Sequence, residues 1–168
     1  VQIYGTSYMD VIDVAYQKLY NFQPLTERQK RHYCDMYFPL LNFDFVTVVV
    51  NEKNEVVGVG VGMPDISKAL RKCKGRLLPL GWRHMLKALH SDHYDTFDFL
   101  LIAVRPDYQD RGLNAVIIAD QHPYFVKYNI RCIETTAIME NNFKNLNHWE
   151  VFPHKYHKRR RAYIKSIG

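Results

Sequence analysis

Phe97 to Val126 reads FDFLLIAVRPDYQDRGLNAVIIADQHPYFV, and the fold turns on how this stretch is divided. Phe97 to Val104 is nearly continuous apolar sequence, with Asp95 before it and Arg105-Pro106 after it. That pattern predicts a central strand covered on both faces. Proline has no backbone N–H to give a ladder, so pairing should stop at Pro106. From Leu113 the apolar positions recur at helical spacing, at Val116 and Ile117, with Asp120 and Gln121 on the other side. Between strand and helix lie Gln109, Asp110, Arg111, Gly112, Leu113, Asn114 and Ala115. Their backbone N–H groups open the helix, where they and the helix dipole favour an anion such as a phosphate. Gly112 has no side chain to hold that anion off the backbone.

Working outward, Tyr8 to Phe22 carries Met9, Ile12, Ala15, Tyr16 and Leu19 at helical spacing, with Thr6 or Ser7 as cap. Pro24-Leu25-Thr26-Glu27 ends that helix and starts another, capped by Thr26, which runs to Tyr37 and stops at Pro39. Phe43 to Val50 and Val56 to Gly62 are β-rich and flank the polar turn Asn51 to Glu55, which predicts an antiparallel hairpin. Residues 64–95 read as an insertion with two helical patterns, one ending at Gly75 and one from Trp82 to Leu89. Beyond the central unit, Arg131 to Ile138 alternates as a strand. Asn142 caps a helix through Phe143, Leu146 and Trp149, and Phe152-Pro153 breaks it. Tyr156 to Ile164 reads as a last strand with a Lys/Arg face, while Gln2 to Tyr4 is too short to commit to one.

The 168 residues fit one domain, and 47% hydrophobic with 24% charged residues argues for a packed core over global disorder. No apolar run is long enough to span a bilayer. The first residues lack the pattern of a signal peptide. The chain begins at Val1, which suggests a piece of a longer protein with room for a missing N-terminal domain. The net charge of +6 gathers in His154 to Arg161 and Arg71 to Lys74, and it favours anionic partners. Cys34, Cys73 and Cys132 are far apart and show no metal spacing, so no metal is expected and the cytoplasm is the natural compartment. Cys132, on a strand, reads as a buried thiol.

The central stretch resembles the acyl-CoA-binding core of the GNAT N-acetyltransferases. Their motif places Gln or Arg, two residues, Gly, one residue, then Gly or Ala, after a strand ending in an apolar triplet. Gln109 and Gly112 match, and Ile102-Ala103-Val104 is the triplet. Asn114 stands where a second Gly or Ala is usual, with Ala115 next. The later strand and Asn-capped helix also look like this family, and residues 64–95 resemble the insertion of a bacterial GNAT subgroup between the third and fourth strands. The resemblance implies an α/β (α+β) fold, with a mixed, mostly antiparallel sheet flanked by helices on both faces.

It also implies acetyl-CoA as co-substrate and direct attack by a primary amine, small molecule or peptide, where positioning supplies much of the rate. Ile102, Ala103 and Val104 would hold the pantetheine arm through their backbone, where the strand splays from its neighbour. A backbone N–H near Val104 would steady the thioester oxygen. Gln109 to Ala115 would hold the pyrophosphate, Arg111 adding a charge, and Asn142 would join the cofactor site. The family's usual Tyr acid falls on Trp149, whose N–H is too weak an acid. Glu134 or His148 then stands as the catalytic acid–base candidate. Two alternatives stay open: a GNAT-shaped CoA-binding module without catalysis, and a basic nucleic-acid-binding domain through Lys155 to Arg161, which lacks a recognition motif around it. A homodimer is also admitted.

Overall fold

In a computed structural model, residues 7–76, 78–161 and 163–166 are described. Their elements run α1 (Ser7–Tyr16), α2 (Glu27–Tyr37), β1 (Val46–Val50), β2 (Val56–Pro64), α3 (Ser67–Lys72), α4 (Gly81–Leu89), β3 (Thr96–Val104), α5 (Leu113–Lys127), β4 (Cys132–Thr135) and α6 (Phe143–Trp149). Thr6 and Gln2 to Tyr4, read above as a cap and a doubtful strand, lie outside the described residues. The residues group into two compact units, Val1–Glu134 and Thr135–Gly168.

In the first unit the sheet order is β1-β2-β3-β4, with β1–β2 and β2–β3 antiparallel. The Arg131 and Cys132 N–H groups both donate to Asp95 O, at 3.1 and 3.2 Å. Strands β3 and β4 therefore start at the same end and run parallel through the α5 crossover, so the sheet is mixed and mostly antiparallel. β3 is a central strand, as its apolar run predicts.

Strand β2, VVGVGVGMP, explains how two helices approach it. Successive residues face opposite sides. Val59 and Val61 join Tyr8, Val11, Cys34 and Ala103 in a core on the α1 side. The alternate glycines face α5. A Cβ at Gly60 would lie 2.2 Å from Ile117 Cγ2, so only the absence of a side chain lets α5 come this close. Beneath α5, Phe45, Phe97 and Phe125 pack ring on ring, at 4.8 and 5.0 Å between centroids. Gln121 is fully buried there and donates to Phe45 O and Gly60 O.

The register of β3 on β2 steps from Leu101 opposite Val61 to Phe99 opposite Gly62. Leu100 is thus an extra residue, and this bulge re-aims the strand. It explains why Phe97 packs under α5 while Ala103, also odd-numbered, joins the α1 core.

Several boundaries differ from the sequence reading. Helix α1 ends at Tyr16, not Phe22, because the chain turns through Asn21 at φ 59° and the Phe22 ring folds edge-on to Tyr16. Thr26 does cap α2, with the reciprocal bond to Gln29. β4 is four residues where eight were expected, and Cys132 is exposed rather than buried because it stands at the start of the last strand in the sheet order. In the second unit, the described part of Tyr156 to Ile164 forms no strand. Its run Lys158-Arg159-Arg160-Arg161 repels itself, and no described strand pairs with it. No helix among the described residues is long and apolar enough to cross a membrane.

Candidate functional site

The Arg105 N–H donates to Val57 O on β2 at 2.9 Å. Backbone groups alternate sides along a strand, so Ala103 also faces β2, while Ile102 and Val104 turn theirs away. Their carbonyls agree. Tyr16 Oη donates to Ile102 O at 2.9 Å, and Gln109 Nε2 donates to Val104 O at 3.0 Å. Strand β4 begins level with Asp95 and lasts four residues. Equal rise per residue ends it near the level of Phe99, short of Ile102. The triplet Ile102-Ala103-Val104 therefore presents its outward edge beyond the end of β4.

After β3 the chain makes one tight turn, Pro106 to Tyr108, and then the loop predicted to hold an anion. Asp110 sits at φ 59° and Gly112 at φ 77°, ψ 9°. Gly112 is the residue before α5 and is exposed, with no atom within 4 Å of where its Cβ would be. The Ala115 and Val116 N–H groups bond back to Gly112 O, at 3.0 and 3.2 Å. Those of Leu113 and Asn114 precede that ladder, as at the start of any helix, and point out with the dipole's positive end. Gln109, expected at the anion, also braces the end of β3 through its side chain.

Two tyrosines bear on the site that the sequence reading did not name as site residues. Two guanidiniums lie over the Tyr108 ring, with Arg105 at 4.8 Å and Arg111 at 5.1 Å from its centre, and Asn51 Nδ2 donates to its hydroxyl. Arg105 is also held by Asp107 at 2.7 and 2.8 Å, so Arg111 carries the less committed charge beside the loop. Tyr16 is bound at the triplet itself, and burial pushes its hydroxyl pKa up. The Tyr16 role has no signal in spacing, because Ile102 lies 86 residues away; the arginines around Tyr108 are three residues to either side of it.

Of the acid–base candidates, Glu134 is half-buried on β4, near the level of Phe97 rather than of Val104. In the second unit, Asn142 caps α6 by accepting from the Asn145 N–H at 3.4 Å, and Trp149 Nε1 donates to Asn145 Oδ1 at 3.0 Å. His148 has its Nε2 buried with no hydrogen-bond partner among the described residues, and desolvation lowers its pKa. Among the described residues no group of His, Cys, Asp and Glu could hold a metal ion.

No family profile matches the chain. Protein YghO of Escherichia coli (strain K12) is 26% identical over 162 residues, 94% of this chain. The chain spans only 41% of that relative's length. Among solved structures, the aminoglycoside 6'-N-acetyltransferase AAC(6')-Ih from Acinetobacter baumannii matches with TM-score 0.60 at 9% identity, over all of this chain and 95% of its own. AAC(6')-Iy, solved in complex with CoA, matches with TM-score 0.57 at 10% identity, over 99% of this chain and 91% of its own. An acetyltransferase of Trypanosoma brucei matches with TM-score 0.52 at 14% identity, over 95% and 94%. With the strand order and the helices on both faces described above, these likenesses show that the chain has the fold of the GNAT superfamily of acetyltransferases.

Proposed function

We propose that the chain transfers an acetyl group from acetyl-CoA to a primary amine. The neutral amine nitrogen attacks the thioester carbonyl, the new C–N bond forms, the C–S bond breaks, and the CoA sulfur leaves and gains a proton. One observation carries the reading: the outward edge of Ile102-Ala103-Val104 is followed, after one tight turn, by an open, left-handed Gly112 at the start of α5. An extended arm can add to the first as a strand would, and a diphosphate can meet the second.

In this reading the Val104 N–H steadies the thioester oxygen. The Leu113 and Asn114 N–H groups, which precede the α5 ladder, hold the pyrophosphate with Arg111, and Gln109 keeps the turn in place. Asn142 belongs to the cofactor site by family resemblance. Glu134 or His148 takes the proton from the ammonium, and a desolvated imidazole is suited to it because it stays neutral. AAC(6')-Ih and AAC(6')-Iy are aminoglycoside N-acetyltransferases and the second was solved with CoA, and that motivates an amine acceptor here, either a small molecule or a peptide.

Calorimetry with acetyl-CoA is the test. Saturable binding is expected, followed by CoA thiol release with members of an amine panel. Absence of binding at millimolar acetyl-CoA would overturn the reading. Binding without thiol release from any amine would leave a CoA-binding module in its place.

A further inference from the structure

The insertion between β2 and β3 has a surface to which the proposed acetyl transfer assigns no role. From Ile66 to Ser91 it carries seven Lys and Arg and no Asp or Glu, more positive charge than the net +6 of the whole chain. Lys68 is paired with Asp95 at 2.6 Å. Arg71, Lys72, Lys74, Arg76, Arg83 and Lys87 pair with no carboxylate among the described residues, and all six are exposed.

Amid these cations the chain exposes large apolar side chains. Leu78 is 80% exposed, Leu80 58%, Trp82 46% and Leu86 44%. Water disfavours such a grouping, and an apolar cluster rimmed by charge marks an interaction site. The group is built rather than loose. Trp82 Nε1 donates to Pro79 O at 3.0 Å, which ties the indole to the Leu78–Leu80 turn. Trp82 and Leu86 are four residues apart on α4, so they share a face. Gly81 is buried against Arg76 O, where a Cβ would sit at 1.9 Å, and this seats the start of α4 against the chain that follows α3.

We propose that this insertion docks on an anionic phospholipid surface. Leu78, Leu80, Trp82 and Leu86 would enter the headgroup–acyl boundary, and the six unpaired cations would meet lipid phosphates. Amphipathic segments with Leu and Trp on one side and Lys/Arg around them bind membranes this way, without spanning them. A nucleic acid would use the cations but leave the leucines in water, so charge and apolar exposure together favour lipid. The inference is independent of the acetyltransferase reading.

The test is flotation of the whole chain with vesicles of phosphatidylcholine alone or mixed with phosphatidylglycerol. Binding is expected only with the anionic mixture, weakening at high salt. Lys155 to Arg161 is a second exposed cation run, so salt dependence alone does not separate the two. Leu78→Asp with Leu80→Asp does, and should weaken binding by more than about tenfold. Arg83→Gln with Lys87→Gln should weaken it by roughly twenty-five-fold, about fivefold per charge. Tryptophan emission should shift to the blue on binding, and Trp82→Phe should abolish the shift. Far-UV circular dichroism shows that each variant is folded. Equal binding to neutral vesicles, or unchanged binding after the two Leu→Asp changes, overturns the proposal. Retention on double-stranded DNA without vesicle binding also overturns it.

Discussion

Lys30 on α2 is only 6% exposed and meets three carboxylates, with Asp13 at 3.0 Å, Glu27 at 3.1 Å and Asp10 nearest. The Asp10 bond, ahead of the other two, holds its ammonium pKa above the ordinary value of 10.5. A raised pKa means stability that is present below the ordinary value and lost only as pH climbs through the raised one, so the Lys30 contribution should be constant through neutral pH. Lys30→Met leaves the carboxylates facing each other and should lower stability by about 2–3 kcal/mol in urea unfolding. His148 has the opposite sign. Its folded pKa lies below 6.5, so its contribution is present above pH 6.5 and is lost as pH falls through the depressed value. Melting temperature should therefore drop between pH 7 and about pH 5, and His148→Phe should flatten that drop. The Lys30 cluster could not be read from spacing, since α1 and α2 meet only in three dimensions.

At the scale of elements, β2 and α5 share one close contact. Gly60→Ala places a methyl against Ile117 and should cost about 1–3 kcal/mol. Ile117→Ala removes the obstacle, so the double variant should be more stable than the two separate losses predict, as a double-mutant cycle in denaturant would show. The Gly112 turn is the functional counterpart. Gly112→Val adds a branched side chain at φ 77° in open space. The strain is about 1–2 kcal/mol. The larger expected effect is on acetyl-CoA, with affinity falling about tenfold or more in calorimetry, because the added side chain stands over the helix start. The strand–loop–helix order around Gly112 was legible from Phe97 to Val126. The bulge at Leu100 was not, because a register step depends on the partner strand.

Across the whole molecule, two exposed stretches concentrate positive charge: the insertion and Lys155 to Arg161. The second has no regular structure among its described residues. Exposed irregular backbone is where proteases cut first. Brief trypsin treatment should cleave between Lys155 and Arg161 before any site in α5 or the sheet, as mass spectrometry of the fragments would show. Early cleavage inside α5 instead would contradict the packing described for the first unit.

Local chemistry was enough to place the central strand, the hairpin, the Thr26 and Asn142 caps, and the glycine loop after Val104, because periodicity, turn residues and capping act over a few neighbours. The resemblance of that loop pointed to the fold that the solved structures then showed. What required the folded chain was everything set by distant partners. Those are Tyr16 on Ile102, Asn51 on the Tyr108 hydroxyl, Asp10 and Asp13 on Lys30, the glycines that admit α5, and the short β4 that ends below the triplet. A strand's sides, a bulge's position and a side chain's partner depend on which segments come together, and tertiary packing decides that.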